Sequence, residues 1–152
     1  MPSVRALFVV GIVAVVASVT FAQTKPATPP VKPAAVAARP TGVGSSSDIM
    51  QALTIPLSDA VFAAGSEPPK DDAAWAALQQ KAFALAESAN LLLIPPRNIT
   101  SGSWGKWAVA QREAALTAMK AARAKNADAL SSAGDALYET CEGCHKVYLP
   151  SK

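Results

Sequence analysis

The pentapeptide Cys141-Glu142-Gly143-Cys144-His145 holds both cysteines and the single histidine of this chain. On a helix, positions 141, 144 and 145 lie on one face, so two thiols and an imidazole can act on a single bound group. C-x-x-C-H is the spacing of covalent haem attachment, in which the thiols bond the two vinyl groups while the imidazole reaches the iron. Two other chemistries use the same residues. Zinc needs a fourth ligand, and with no further Cys or His in the chain it would come from a carboxylate or a second molecule. A redox dithiol also uses C-x-x-C, but usually at a helix N-terminus within an α/β fold, where the thiol pKa is depressed. Here the cysteines close the last helical segment.

If the bound group is haem, a single histidine rules out bis-histidine ligation within one molecule. The second axial position then falls to methionine, to a weaker ligand or to none. Besides Met1, which leaves with the N-terminal segment described below, the methionines are Met50 and Met119.

Four helical segments are expected to position these residues. Alanine dominates the second half of the chain and β-branched residues lie mostly at its start, which favours helix over sheet. Helix one follows the cluster Ser45-Ser46-Ser47-Asp48, whose oxygens suit an N-cap. Its apolar positions are Ile49, Leu53, Leu57 and Val61, and Gly65 with Pro68-Pro69 ends it. Pro56 falls inside this segment and is expected to kink or split it, with Ser58-Asp59 capping the second half. Helix two opens at Asp71-Asp72 and runs to about Ile94, before Pro95-Pro96; Trp75, Leu78, Ala82, Leu85, Ala89 and Leu92 form its seam. Helix three runs from near Ser103 to about Lys125-Asn126, with Trp104, Trp107, Ala108, Ala115, Met119 and Ala122 on a weaker stripe. Helix four runs from about Ala127 to Tyr148. Leu130, Gly134, Leu137, Cys141, Cys144 and Tyr148 make its stripe, so the cysteines continue the buried face. Short connections between four such helices predict an all-α, antiparallel four-helix bundle, a fold that houses cofactors among inward-facing side chains.

The N-terminus has a different character. Residues 1–22 have the pattern of a secretory signal: Arg5 precedes a nearly unbroken apolar run from Ala6 to Phe21, and cleavage is expected before Gln23. The same run, if uncleaved, would be an N-terminal anchor. Residues 23–47, with Lys25-Pro26, Pro29-Pro30, Lys32-Pro33 and Arg39-Pro40 before a Gly/Ser stretch, are expected to be a disordered linker. That leaves 48–149 as the folded domain. Of the 14 basic residues Arg5 goes with the signal, leaving 13 against 11 acidic ones, a net +2. No dense Lys/Arg run interleaved with aromatics is present, so a nucleic-acid partner has little support. Export agrees with haem attachment, since c-type haem is normally attached outside the cytoplasm.

A C-terminal C-x-x-C-H followed by Lys146-Val147-Tyr148, on an exported all-α domain, resembles the class II cytochromes c, the cytochrome c-prime group. The resemblance spans Asp48 to Tyr148 and implies one haem c with iron, held by Cys141 and Cys144 with His145 as proximal ligand. It further implies that the first helix covers the distal face of the haem. A methionine there gives a low-spin electron carrier, and Met50 is the corresponding residue. An apolar residue there, such as Leu53, Leu57 or Val61, gives a five-coordinate haem that binds small gases such as NO or CO. The resemblance also implies a periplasmic, non-enzymatic protein with redox-protein partners, and such proteins often form homodimers through their first two helices. Pro56 and the pair Leu149-Pro150 depart from the family pattern. Tyr148 either abuts the haem or simply packs. Trp75, Trp104 and Trp107 are expected in the core, while Arg97, Lys106, Arg112 and Arg123 either pair with haem propionates or face solvent.

Overall fold

A computed structural model describes residues 40–99 and 102–149. The expected signal at 1–22 and most of the expected linker lie outside them. The described residues fall within one unit, Val36–Lys152, and form helices joined by turns, with no strand among them. None of the described helices is long and apolar enough to cross a membrane.

Helix α1 is built in three stretches, an α-turn Ser46–Ile49, a π-turn Met50–Thr54 and an α-helix Ile55–Ser66. Its start is fixed by a reciprocal cap. The Asp48 amide donates to Ser45 Oγ at 3.2 Å, and the Ser45 amide donates to Asp48 Oδ2 at 2.7 Å. The Ser45 amide and the Ser45 hydroxyl both donate to the Asp48 carboxylate, favouring its charged form and lowering its pKa. Ahead of Asp48, the Gly42 amide donates to Pro95 O at 2.7 Å, tying the end of the expected linker to the bundle.

Pro56 does not split α1. A proline inside a helix lacks a donor, and its ring crowds the carbonyl four residues back. The preceding turn widens to absorb both effects, with the Ile55 amide bonded to Met50 O, the i→i+5 pattern of a π-turn. Ser58 accordingly caps nothing. It is buried and its hydroxyl donates to Ile55 O at 3.0 Å.

Helix α2, Asp72–Leu91, is capped by Asp71, whose carboxylate accepts from the Ala74 amide. It ends three residues short of the expected Ile94. A residue before proline is pushed out of the helical region, and the chain leaves through tight turns in which the amides of Leu92, Leu93 and Ile94 each bond three residues back. Helix α3, Trp104–Arg123, closes with the Asn126 amide on Ala121 O and the Lys125 amide on Ala122 O. This is a Schellman pair, with Lys125 in the left-handed region at φ 52°. Helix α4, Ala127–Tyr148, is capped by the Asn126 side chain.

The four helices pack antiparallel in chain order, each against its neighbours and α1 against α4 as well. The larger core cluster joins Val61, Trp75, Leu78, Leu85, Leu130 and Leu137 to many buried alanines from α2, α3 and α4. A second cluster lies at the other end, where α1 begins and α4 finishes; it contains Ile49, Leu92, Trp104 and Ala108, with Met50, Cys144 and Tyr148 packed on it. The expected α2 seam is buried throughout.

Because Leu85 is fully enclosed in the larger cluster, Leu85→Ala is expected to destabilise the unit by about 2–5 kcal/mol. A urea midpoint lowered at unchanged slope is the measurement that checks it.

Candidate functional site

The antiparallel order puts the start of α1 beside the end of α4, and a cleft opens between them. One lobe, about 220 Å³, is lined by Met50, Thr54 and Ser58 of α1, Gln111 of α3, and Cys141, Cys144 and His145 of α4, among others. A second lobe, about 440 Å³, is lined by Ser46, Met50 and Ile55 of α1, Trp104 of α3, Ile99, and Cys144, His145 and Tyr148 of α4, among others. Met50, Ile55, Cys144 and His145 line both lobes. The expected attachment residues and Met50 thus share one site, although they lie some ninety positions apart in the chain. Met119 packs against the larger core cluster instead and lines neither lobe.

The floor of the site is contributed by α3. The Trp107 ring lies directly over Gly143, so closely that any Cβ at that position would run into it. The glycine between the two cysteines is therefore a packing requirement. Trp104 donates from Nε1 to Leu92 O at 2.9 Å and meets Tyr148 edge-on, ring centroids 5.2 Å apart. Tyr148 consequently packs on an aromatic partner and lines the cleft at the same time.

Burial raises the pKa of both thiols above the ordinary value. At Cys141 burial is the largest cause, partly offset by hydrogen bonds, including one with the Thr140 side chain. At Cys144 burial is reinforced by the neighbouring Cys141. Both sit near the C-terminal end of α4, where the helix dipole also disfavours a thiolate. An activated dithiol needs the opposite environment. Among the described residues no three His, Cys, Asp or Glu side chains form a metal-holding group.

Among the described residues, three buried donors have no hydrogen-bond partner: Trp107 Nε1, Gln111 Nε2 and Tyr148 Oη. Each is in or beside the cleft, and buried polar atoms are nearly always paired in native proteins. A flat group with an apolar body and acceptor oxygens at its edge fits this lining, with thiols for its vinyl groups, an imidazole and a thioether for its metal, and apolar walls at Ile55, Ile99 and Trp104. The residues present fit a haem.

The basic residues take other roles. Arg97 is buried and bonds backbone carbonyls, and Arg112 pairs with Glu113 and donates to Asn90. Lys106 lies 5.8 Å from the Trp107 ring centroid, and Arg123 is exposed. None of the four is among the residues lining the cleft.

Sequence reasoning missed Thr54, Ser58 and Gln111. Gln111 is only 6 % exposed and follows Trp104 and Ala108 in alternating steps along α3, so a polar residue on an apolar stripe was the available signal. Thr54 bonds Ser88 across to α2 at 3.2 Å, which lets a hydroxyl occupy an interior position. Compared with known proteins, the chain matches no family model, no curated protein and no solved structure.

Proposed function

We propose that this chain is an exported, periplasmic mono-haem cytochrome of the class II type that carries single electrons between redox proteins. The observation that carries this reading is the presence of Met50, Cys141, Cys144 and His145 in one cleft. Cys141 and Cys144 would hold the haem through thioethers, His145 would hold the iron on one face, and Met50 would hold it on the other. When bound, the haem supplies reversible one-electron Fe(III)/Fe(II) chemistry. The protein's own part would be to keep the His145 and Met50 side chains in place, limit water access with the walls around Met50 and Trp104, and donate hydrogen bonds from Gln111 and Tyr148. With both iron ligands retained through the redox cycle, no substrate bond is made or broken, so the role is that of a carrier rather than an enzyme.

Expression in a host that attaches c-type haem should give a haem-staining band on a denaturing gel, and the Cys141→Ser/Cys144→Ser double variant should give none. Ferric protein should have a sulfur-to-iron charge-transfer band at the red end of the spectrum that disappears in Met50→Ala. A wild-type ferrous protein that is high-spin and binds carbon monoxide readily would overturn the carrier reading in favour of a five-coordinate gas binder.

Gln111 gives an independent check. A buried donor without a partner costs about 1–3 kcal/mol. Gln111→Leu is therefore expected to be neutral or stabilising in protein made without haem, and destabilising in the haem-loaded protein, as measured by urea denaturation of both forms.

A further inference from the structure

Arg97 is 5 % exposed, and among the described residues it forms no ion pair. Its guanidinium is spent on backbone carbonyls from two separate stretches of chain. Nε donates to Leu91 O at 2.8 Å, at the end of α2. Nη1 donates to Val43 O at 2.8 Å and Gly44 O at 3.2 Å, just ahead of α1. The chain at 42–44 is shaped to receive it. A Cβ at Gly42 would collide with the guanidinium, and Gly44 has φ +76°, a conformation that disfavours other residues. The Gly42 amide adds a bond to Pro95 O, and Ser45 follows directly as the cap of α1. Keeping a buried cation for such a task is costly, which implies that the place it fixes matters.

That place is the mounting of Met50. The first stretch of α1 has four residues, and the π-turn beginning at Met50 separates it from the long stretch after Ile55. A π-turn breaks the regular i→i+4 ladder, so the direction of Met50 is not set by simple continuation of the helix after Ile55. The N-terminal stretch is held instead at its two ends, by Arg97 ahead of it and by the Thr54–Ser88 bond behind it.

We propose that Arg97 is a positioning residue for Met50, clamping residues 43 and 44 to the end of α2 so that the Met50 sulfur stays directed into the cleft. The proposal rests on the haem reading above, and Arg97 acts only through the backbone ahead of α1. Lysine cannot replace it fully, because a single ammonium lacks the planar fork that reaches carbonyls on two sides.

The test uses the full chain, haem-loaded, as wild type, Arg97→Gln, Arg97→Lys, Gly42→Ala, Met50→Ala and Leu85→Ala. Three readouts are taken on each: covalent haem on a denaturing gel, the red-end charge-transfer band, and the fraction of ferrous protein that binds carbon monoxide. Arg97→Gln is expected to keep its covalent haem, weaken the band and raise the carbon-monoxide-competent fraction by roughly tenfold, read as a population shift toward a minor open state. Arg97→Lys should fall between Arg97→Gln and wild type. Leu85→Ala lowers stability within the larger core cluster without removing any of the bonds made by Arg97 and should leave the band intact, which separates positioning from general loosening. If Met50→Ala abolishes the band while Arg97→Gln and Gly42→Ala leave it and carbon monoxide binding at wild-type levels, the clamp proposal is wrong. If Met50→Ala changes neither readout, the ligand assignment fails instead. Should Arg97→Gln not accumulate, Gly42→Ala crowds the same guanidinium with one methyl group and decides the matter by the same readouts.

Discussion

Small residues at the helix crossings are the constraint on which this bundle depends. Ala82, Ala86 and Ala89 of α2, Ala108, Ala114, Ala115, Ala118, Ala121 and Ala122 of α3, and Ala133 and Gly134 of α4 are all buried. Such residues let backbones approach closely, and alanine has the best intrinsic helix propensity. Each buries little area, so the few large enclosed side chains, Leu85, Leu130, Leu137 and Val61, supply much of the apolar driving force. Helices α2, α3 and α4 consequently form a tightly packed frame. The cleft lies along the edge where α1 meets α4, and there the walls are larger and more varied: methionine, isoleucine, tryptophan, tyrosine and hydroxyl side chains.

Helix α1 is fastened to this frame at separate points rather than by one continuous seam. Val61 and Ala64 belong to the larger core cluster, and Ile49 belongs to the smaller one. Between them the π-turn set up by Pro56 adds a residue to one turn of helix. One extra residue rotates everything N-terminal to it by roughly 100° relative to an unbroken α-helix. The expected spacing of fours through Ile49, Leu53, Leu57 and Val61 is disturbed accordingly. Ile49 and Val61 are buried, Leu53 and Leu57 are only half-buried, and the interior positions between go to Thr54 and Ser58. The proline therefore helps determine which side chains reach the cleft.

This explains what the sequence could and could not convey. The four helices were legible because each carries a long periodic face and clear end signals, such as Asp71 and Asn126 as caps and proline pairs as stops. The boundaries that moved did so for local steric reasons, as at Ile94 before Pro95. The C-x-x-C-H face was legible because i, i+3 and i+4 positions meet on any helix. Its polar surroundings were harder to read, since a hydroxyl or amide at helical spacing looks the same whether it faces solvent or the interior. Arg97 was harder still, because two of its three partners are carbonyls more than fifty positions earlier and carbonyls have no residue identity.

The surroundings of the pentapeptide also separate its competing chemistries in a way spacing cannot. A redox dithiol works as thiolate, and here burial and the C-terminal end of α4 both favour the neutral thiol. A zinc site needs four donors, and the pentapeptide already uses both cysteines and the single histidine of the chain, so a fourth would have to be a carboxylate or come from a second molecule. Thioether formation places no such demand on the finished site, because the sulfurs end as neutral, covalently bonded atoms that belong in an apolar setting. The same logic accounts for the neighbouring donors. Trp107, Gln111 and Tyr148 are uncharged, so they can stay buried at a few kcal/mol where unpaired cations could not. A cleft that offers neutral donors, two thiols, one imidazole and one thioether has the lining that the proposed haem would need.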